Sequence, residues 1–304
     1  MLITNPTHYG LIEQPWWGIL IAFYLFLGGL GSMAFCVSFL YWLRGERKLS
    51  IAGSVVGVVA VLIGILALVL DLGHPERFYL VLLSPNLNVK SWIFIGSTFL
   101  SAFTLFAVLF IAPQILNIIK LNEKILKTFG WIAFAFGIGV SAYTGILIGI
   151  VFNIPFWNAP ALPIIFMISA LSTGLATLVL VGLALRDSEV QKITHHLAKY
   201  DGFTMIFELI VLAIYLLIRS YGPVGAIESV KTILTGYLAP YFVGGVLLMG
   251  LAIPIMLVFG YEVRKEGRGC VCVTILSAIF VLIGGAMLRY VVLKAGFLQV
   301  PCCP

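Results

Sequence analysis

Long apolar stretches alternate with short polar segments along this chain. Each apolar stretch holds about 20 residues, enough for an α-helix to cross the roughly 30 Å hydrocarbon core of a bilayer. No segment alternates apolar and polar residues with the period of two that a membrane barrel needs, so the pattern predicts an all-α integral membrane protein. Eight transmembrane helices are predicted, at about 17–43, 50–70, 91–112, 129–152, 161–185, 202–218, 238–260 and 271–293.

The composition agrees with this pattern. Of the 304 residues, 62% are hydrophobic and 10% are charged, whereas a soluble domain has about 25% charged residues. Too few polar side chains are present to cover such a core in water, so the bilayer is the predicted solvent. The net charge of +6 does not indicate a nucleic-acid partner, because the basic residues lie in short segments between apolar runs.

Basic residues are distributed unequally between the two sides of the predicted bundle. The segments after the first, third, fifth and seventh helices hold twice as many Lys and Arg residues as the opposite side, and none precedes the first helix. Cytoplasmic loops are enriched in Lys and Arg, so both termini are predicted to lie outside the cytoplasm. No internal repeat is apparent, and residues 1–304 are predicted to form one domain in the cell membrane. The basic residues on the opposite side are Arg77, Lys90, Arg219, Lys231, Arg289 and Lys294.

Polar residues recur along one face of the sixth predicted helix. Asp201, Thr204, Glu208, Tyr215 and Arg219 follow at helical spacings. At 1.5 Å per residue this face is about 27 Å long, nearly the thickness of the hydrocarbon core. Ionisable residues at such depth are costly and often mark proton routes. We predict a proton path here, with a structural Glu208 bonded to a neighbouring helix as the alternative.

A second polar group gathers near the predicted outer face. Glu13 precedes the first helix, Asp71 and His74 follow the second, and Tyr143 lies about two-thirds along the fourth. A quinone site needs an apolar slot and one or two donors that bind the carbonyl oxygens and pass protons. Tyr143 with His74 or Glu13 has this chemistry. The tryptophans at the same level are typical of an interfacial aromatic belt; they are Trp16, Trp17, Trp92 and Trp157.

The histidines and cysteines do not follow the pattern of a haem or metal site. The four histidines all lie outside the deep apolar segments, where axial haem ligands would be needed. The five cysteines form no paired CxxC motifs, which disfavours a zinc or iron–sulfur cage within this chain. The histidines and cysteines therefore predict neither haem nor metal in this chain, and a quinone is the expected cofactor because of the polar group around Tyr143.

Four stretches of the sequence resemble the polysulfide reductase membrane-subunit family, the NrfD/PsrC type. They are EQPW followed by YLFLGGLGSMAF; DLGHPERF with LLSPN; YTGILIG followed by IPFWNAPALPIIFMISALSTG; and GGAMLRYVVLKAG. They occur in the family's order from one end of the chain to the other. His74 departs from the family, which usually has Arg at this position of the second motif.

The resemblance implies an eight-helix fold of two four-helix bundles. It also implies an anchor for an iron–sulfur subunit, itself bound to a molybdopterin or hydrogenase catalytic subunit, with these partners on the outer face. A quinone pocket is expected beside that interface, on the side of the DLGHPERF loop. By motif, the expected catalytic residues are Tyr143, His74 and Asp71, the further quinone contacts Glu13 and Trp17, and the partner interface Arg77, Phe78 and Asn158.

Three functions are compatible with these features. The first is a quinone-reactive subunit of a respiratory oxidoreductase, such as a sulfur or polysulfide reductase, with proton movement along the sixth helix. The second is a structural membrane anchor without a quinone site. The third is an ion or solute transporter, which the polar sixth helix allows but which the lack of matched mid-span helix breaks disfavours.

Overall fold

The computed structural model describes residues 17–72, 74–80, 89–116, 121–262 and 271–296. Across these ranges the regular elements are helices, and eight are long and apolar enough to cross a bilayer. The predicted all-helical membrane protein with eight spans is confirmed for the described residues. The spans are α1 (Ile19–Leu43), α2 (Arg47–Leu70), α3 (Trp92–Leu116), α4 (Glu123–Gly149), α5 (Ala161–Ala184), α6 (Ser188–Ser220), α8 (Pro240–Gly260) and α9 (Val271–Gly296), with the shorter α7 (Val224–Leu234) before α8.

Local chemistry explains where two of the helices begin. The Asn122 side chain accepts a hydrogen bond from the Lys124 backbone N–H at 3.1 Å at the start of α4, and Asp187 does the same for Glu189 at 3.0 Å in α6. Such a side chain satisfies one of the N–H groups that a first helical turn leaves free. Between α1 and α2, Gly45 has a φ of 95°, which glycine adopts without steric cost.

The region of α6 and α7 differs most from the sequence-based prediction. The sixth helix is predicted at 202–218, but α6 begins at Ser188 and ends at Ser220. Its added first turns are polar, so the apolar stretch from which the span is predicted does not include them. The 11-residue α7 is absent from the prediction because it is too short to span a bilayer.

α8 is wound more widely than the other helices. Residues Pro240–Ala252 are π-helical, and so are Val258–Glu262, which continue two residues beyond the end of the span at Gly260; the short α-helical segment Ile253–Leu257 lies between them. π-Helical turns are rare and occur often at functional sites. α8 meets α9 at Gly250 and Gly284, where a Cβ on either glycine would overlap the backbone of the other. Small residues here allow the two helices to approach closely.

α1 and α5 form the centre of the bundle. Of the 18 most apolar consecutive residues in each of these two helices, 72% are buried, against 28 to 44% in the other spans. α1 packs on α2, α4, α5 and α9, while α5 also packs on α6; α3 packs on α4, and α8 on α9. Because α1 and α5 contact helices from both halves of the chain, the grouping into two four-helix bundles stays a prediction.

Contacts between helix termini define the two ends of the bundle. At the first, the Trp157 end, Trp17 stacks on Trp157 with ring centroids 5.4 Å apart. Trp157 Nε1 also donates to the Val292 carbonyl at 2.7 Å, which joins the segment before α5 to the end of α9. At the second, the Lys48 end, Lys48 Nζ lies 2.5 Å from the Asp187 carboxylate, which joins the starts of α2 and α6. The side of the membrane that each end faces stays a prediction.

Candidate functional site

Tyr143 lies in the last third of α4, toward the Trp157 end. Its side chain is 5% exposed, and its hydroxyl donates to the Trp92 carbonyl at 2.8 Å. The ring fits against α3 because position 96 is glycine, and a Cβ at Gly96 would overlap the phenol. Tyr24 of α1 is also buried and lies close enough to Tyr143 for the two groups to interact electrostatically. Two buried phenols from different helices therefore lie in the same part of the bundle, toward the Trp157 end.

Asp71 and Trp17 lie around the start of α1. The Asp71 carboxyl is 3.9 Å from the position of a Cβ on Gly18, the residue that precedes α1. Partial burial raises the pKa of Asp71 above its usual value. His74 is different, because its side chain is 72% exposed and its Nδ1 lies 3.1 Å from the Glu76 carboxylate. Asp71 is therefore placed against the helices, whereas the imidazole lies at the surface.

The predicted interface residues are exposed at the Trp157 end. The side chain of Arg77 is 66% exposed, and Phe78 is 52% exposed. Asn158 is exposed too, and its carbonyl accepts a hydrogen bond from Arg219 at 3.2 Å. Their role in partner binding stays a prediction. Glu13, the remaining expected quinone contact, lies outside the described residues.

α6 directs most of its predicted polar face into the bundle. Asp201 and Glu208 are each 4% exposed, and Tyr215 is 1% exposed. Asp201 accepts a hydrogen bond from Ser172 Oγ of α5 at 2.6 Å. Thr204 does not share these surroundings: it is partly exposed, and its hydroxyl donates to the backbone carbonyl four residues earlier in α6.

Tyr215 anchors the segment before α5. Its hydroxyl donates to the Phe156 carbonyl at 2.6 Å, and one turn later Arg219 donates to the Pro155 carbonyl at 2.9 Å. A backbone carbonyl has no hydrogen to pass on. In this structure the Tyr215 phenol therefore holds a loop in place and is not joined to Glu208.

The structure corrects the assignment of Arg289 to the charges of the outer side. The residue is completely buried within α9, seven positions before the helix ends at Gly296. Its Nη1 donates to Ser169 Oγ at 2.5 Å and to the Gly285 carbonyl at 3.0 Å, and its Nη2 donates to the Phe166 carbonyl at 3.1 Å. An arginine inside the apolar stretch GGAMLRYVVLKAG is the sequence signal for this position.

Glu208 is the counter-charge of Arg289, and Ser169 lies between them. Glu208 interacts with the Ser169 hydroxyl and with the charge of Arg289. A guanidinium has only donors, so the Ser169 oxygen accepts from Arg289 and its own hydrogen is available to Glu208. This arrangement predicts a hydroxyl-bridged ion pair that joins α9, α5 and α6. A buried charge requires such a partner.

Comparison with known proteins identifies the family. The family profile described as "Polysulphide reductase, NrfD" matches residues 4–301. A polysulfide reductase chain of Wolinella succinogenes is 30% identical over 95% of this chain and 97% of its own length. The protein NrfD homolog of Haemophilus influenzae is 27% identical over 93% of this chain and 95% of its own length. A selenate reductase subunit of Mesobacillus selenatarsenatis is 26% identical over 53% of this chain and 46% of its own length. The predicted resemblance is confirmed: this chain is a multi-pass membrane protein that belongs to the polysulphide reductase NrfD family.

Proposed function

We propose that this chain is the quinone-binding membrane subunit of a multi-subunit oxidoreductase. It anchors an iron–sulfur subunit and passes electrons between the cluster of that subunit and a quinone. Two relatives are named as components of reductases, which supports a subunit role in a reductase complex. The observation that carries the quinone assignment is the pair of buried phenols, Tyr24 and Tyr143, at the Trp157 end.

Quinone chemistry accounts for the groups at this end. Reduction of a quinone consumes two electrons and two protons, so the site needs donors to the carbonyl oxygens and groups that supply protons. The Tyr143 hydroxyl is such a donor, and the quinone carbonyl would replace the Trp92 carbonyl as its acceptor. Exchanging one neutral hydrogen bond for another changes the free energy by only about 1 kcal/mol. Asp71, with its raised pKa, is suited to hold a proton near the surface.

The partner subunits would dock at the Trp157 end, where Arg77, Phe78 and Asn158 are exposed. Electrons would then pass between a cluster of the iron–sulfur subunit and the quinone, while a molybdopterin or hydrogenase subunit acts on the soluble substrate. We further propose that this end faces outward from the cytoplasmic membrane. The burial of Arg289 removes one basic residue from the outer side, which increases the charge asymmetry behind this orientation.

A structural anchor without a quinone site is the second candidate. The observation that favours it is the closed environment of Tyr143, which is 5% exposed and whose hydroxyl proton is already shared with Trp92. Under this alternative, the phenol only ties α4 to α3. The two candidates differ in whether the native complex binds and reduces quinone.

Electron transfer in the native complex tests the proposal. The complex is purified with its partner subunits, its bound quinone is extracted and quantified, and electron transfer from reduced benzyl viologen to a soluble quinone is measured. We expect Tyr143→Phe to lower the quinone-dependent rate by about tenfold or more, because the positioned donor is lost. Tyr237→Phe is the matched control, since Tyr237 is 66% exposed.

Two results would contradict the proposal. A wild-type complex that contains no quinone and reduces none would favour the structural anchor. Turnover equal to wild type in both Tyr143→Phe and His74→Ala would remove these residues from the site, even if the complex still reduces quinone elsewhere.

A further inference from the structure

The central helix α1 comes to the surface of the bundle in its last turns. Most of α1 is buried, yet Leu40 is 40% exposed, Leu43 is 36% exposed, and Arg44, which follows the helix, is exposed too. Leu40 lies one turn beyond Cys36, and Arg44 lies one turn beyond Leu40, so they follow one another along one side of α1. The exposed residues therefore form a continuous strip toward the Lys48 end.

The contacts of α1 place this strip beside α4. Cys36 Sγ donates to the Phe134 carbonyl of α4 at 3.5 Å, on the side of α1 that continues into Leu40. Phe39, the neighbour of Leu40, contacts the Trp131 ring of α4 with ring centroids 5.3 Å apart. Trp131 is itself 44% exposed. The strip of α1 and the Trp131 ring therefore lie side by side on the surface that faces the lipid.

Two cations lie about one helical turn farther toward the Lys48 end. α4 begins at this end, so it runs in the opposite direction to α1. Arg44, four residues after Leu40, and Lys127, four residues before Trp131, are therefore displaced the same way, by about 6 Å at 1.5 Å per residue. Lys127 is also exposed. An apolar surface bordered by two positive charges on its aqueous side results.

Both cations are available to an anion. Arg44 and Lys127 form no ion pair with any residue that the structure describes, although the neighbouring Arg47 and Lys48 each pair with a carboxylate. The Arg44 guanidinium lies 5.5 Å from the centre of the ring of Tyr41, which is buried. This cation–π contact keeps the guanidinium against the bundle.

We propose that an anionic phospholipid of the leaflet at the Lys48 end binds here, with its phosphate between Arg44 and Lys127 and its acyl chains on Leu40, Leu43 and Trp131. Basic pockets between transmembrane helices bind anionic headgroups, and each Lys or Arg near the membrane surface strengthens the binding by about fivefold. A free phosphate ion would use only the two cations, whereas a lipid also covers the adjoining apolar side chains. The binding is non-covalent and does not require that this chain bind quinone.

A lipid at this place would stabilise the packing of α1 on α4. It would contact exposed side chains of both helices where the central helix is least covered by protein. The same two helices carry Tyr24 and Tyr143 toward the Trp157 end. The relative position of these two phenols would therefore depend in part on a lipid bound at the opposite end of the bundle.

Quenching of Trp131 fluorescence by brominated lipids tests the proposal. The native complex is placed in phosphatidylcholine vesicles that contain a small fraction of either dibrominated phosphatidylglycerol or dibrominated phosphatidylcholine. The signal of Trp131 is the difference between each protein and the same protein with Trp131→Phe. We expect the binding constant at this site to favour the anionic lipid by about tenfold.

Substitution of the two cations should remove this preference. Arg44→Gln and Lys127→Gln should each lower it by about threefold or more, and together they should bring it close to one. Arg44→Lys keeps the positive charge and should retain most of the preference. Lys192→Gln is the matched control, because Lys192 is a cation of α6 at the same end whose side chain is 72% exposed; it should change the preference by less than about twofold.

Three results would overturn the proposal. The first is a wild-type preference that is absent, or that persists in the double variant of Arg44 and Lys127. The second is an equal loss in Lys192→Gln, which would indicate diffuse attraction by the whole basic end. The third is displacement of the brominated lipid by excess inorganic phosphate, which would identify a site for the free anion. Quinone reduction is not measured here, so these failures are separate from a failure of the proposed function.

Discussion

Replacing Arg289 and Glu208 singly and together tests the bridged ion pair. Arg289→Met keeps an unbranched apolar side chain but removes the guanidinium and its hydrogen bonds to Ser169 and to the Gly285 and Phe166 carbonyls. Glu208→Gln keeps the shape of the side chain and removes its charge. Because both residues are buried in the bundle, neither the remaining charge nor the freed carbonyls gain water in compensation.

The expected effects follow from the burial of the pair. Removing one partner of a buried ion pair costs about 3–5 kcal/mol, although hydrogen bonds between membrane helices are often worth only about 0.6–2 kcal/mol each. We therefore expect each single variant to lower the free energy of unfolding by about 2–4 kcal/mol. The double variant leaves no unpaired charge, so it should be more stable than the sum of the singles predicts, by about 1–3 kcal/mol.

Unfolding in mixed micelles by titration with a denaturing detergent, followed by helical circular dichroism, measures these differences. The control pair is Glu228 and Lys231, whose charged groups are 2.8 Å apart on the exposed surface of α7. Loss of that pair should change stability by about 1 kcal/mol or less. Single effects of Arg289→Met and Glu208→Gln that simply add, within about 0.5 kcal/mol, would refute the pair as an energetic unit.

Two further predictions concern helix packing and pH. Gly57→Ala places a Cβ 2.6 Å from the Gly31 carbonyl oxygen, where α1 packs on α2. We expect it to lower the free energy of unfolding by about 1–3 kcal/mol in the same detergent titration. Gly244→Ala, with no atom within 4 Å of the added carbon, should not. The hydrogen bond from Lys48 holds the pKa of Asp187 below its usual value. The stabilisation of the fold by this carboxylate is therefore complete above about pH 4, where an unfolded Asp is also ionised, and it is lost as the pH falls through the lower folded-state pKa. A stability profile that loses part of its acid dependence in Asp187→Asn would agree with this, and an unchanged profile would contradict it.

The spans could be predicted from the sequence because each is a long apolar run, and only length and composition decide whether a helix crosses a bilayer. The two differences between the predicted and the observed helices have one cause. The polar first turns of α6 and the short α7 are stabilised by the protein around them, for example by the Ser229 hydroxyl, which donates to the Ala295 carbonyl of α9 at 2.8 Å. Hydropathy does not report such contacts.

The site was only partly predictable for a different reason. A helix that is apolar all round does not show which face meets a neighbour, so the partners of Arg289 and the closeness of Tyr24 to Tyr143 depend on helix rotations that the sequence does not express. Both Tyr24 and Arg289 lie in stretches that carry the family resemblance, YLFLGGLGSMAF and GGAMLRYVVLKAG. The α6 face could be predicted because a polar residue in an apolar helix faces inward, and Thr204 departs from it because its hydroxyl bonds to its own helix.

The most direct test of the central proposal is to find where a quinone binds. A photoreactive quinone analogue is added to the native complex, illuminated, and the modified peptides are identified with and without excess natural quinone. We predict a displaceable adduct at the Trp157 end, on the peptides that contain Tyr143, Trp92 or Tyr24. An adduct confined to other surfaces, or labelling that excess quinone does not displace, would contradict the account.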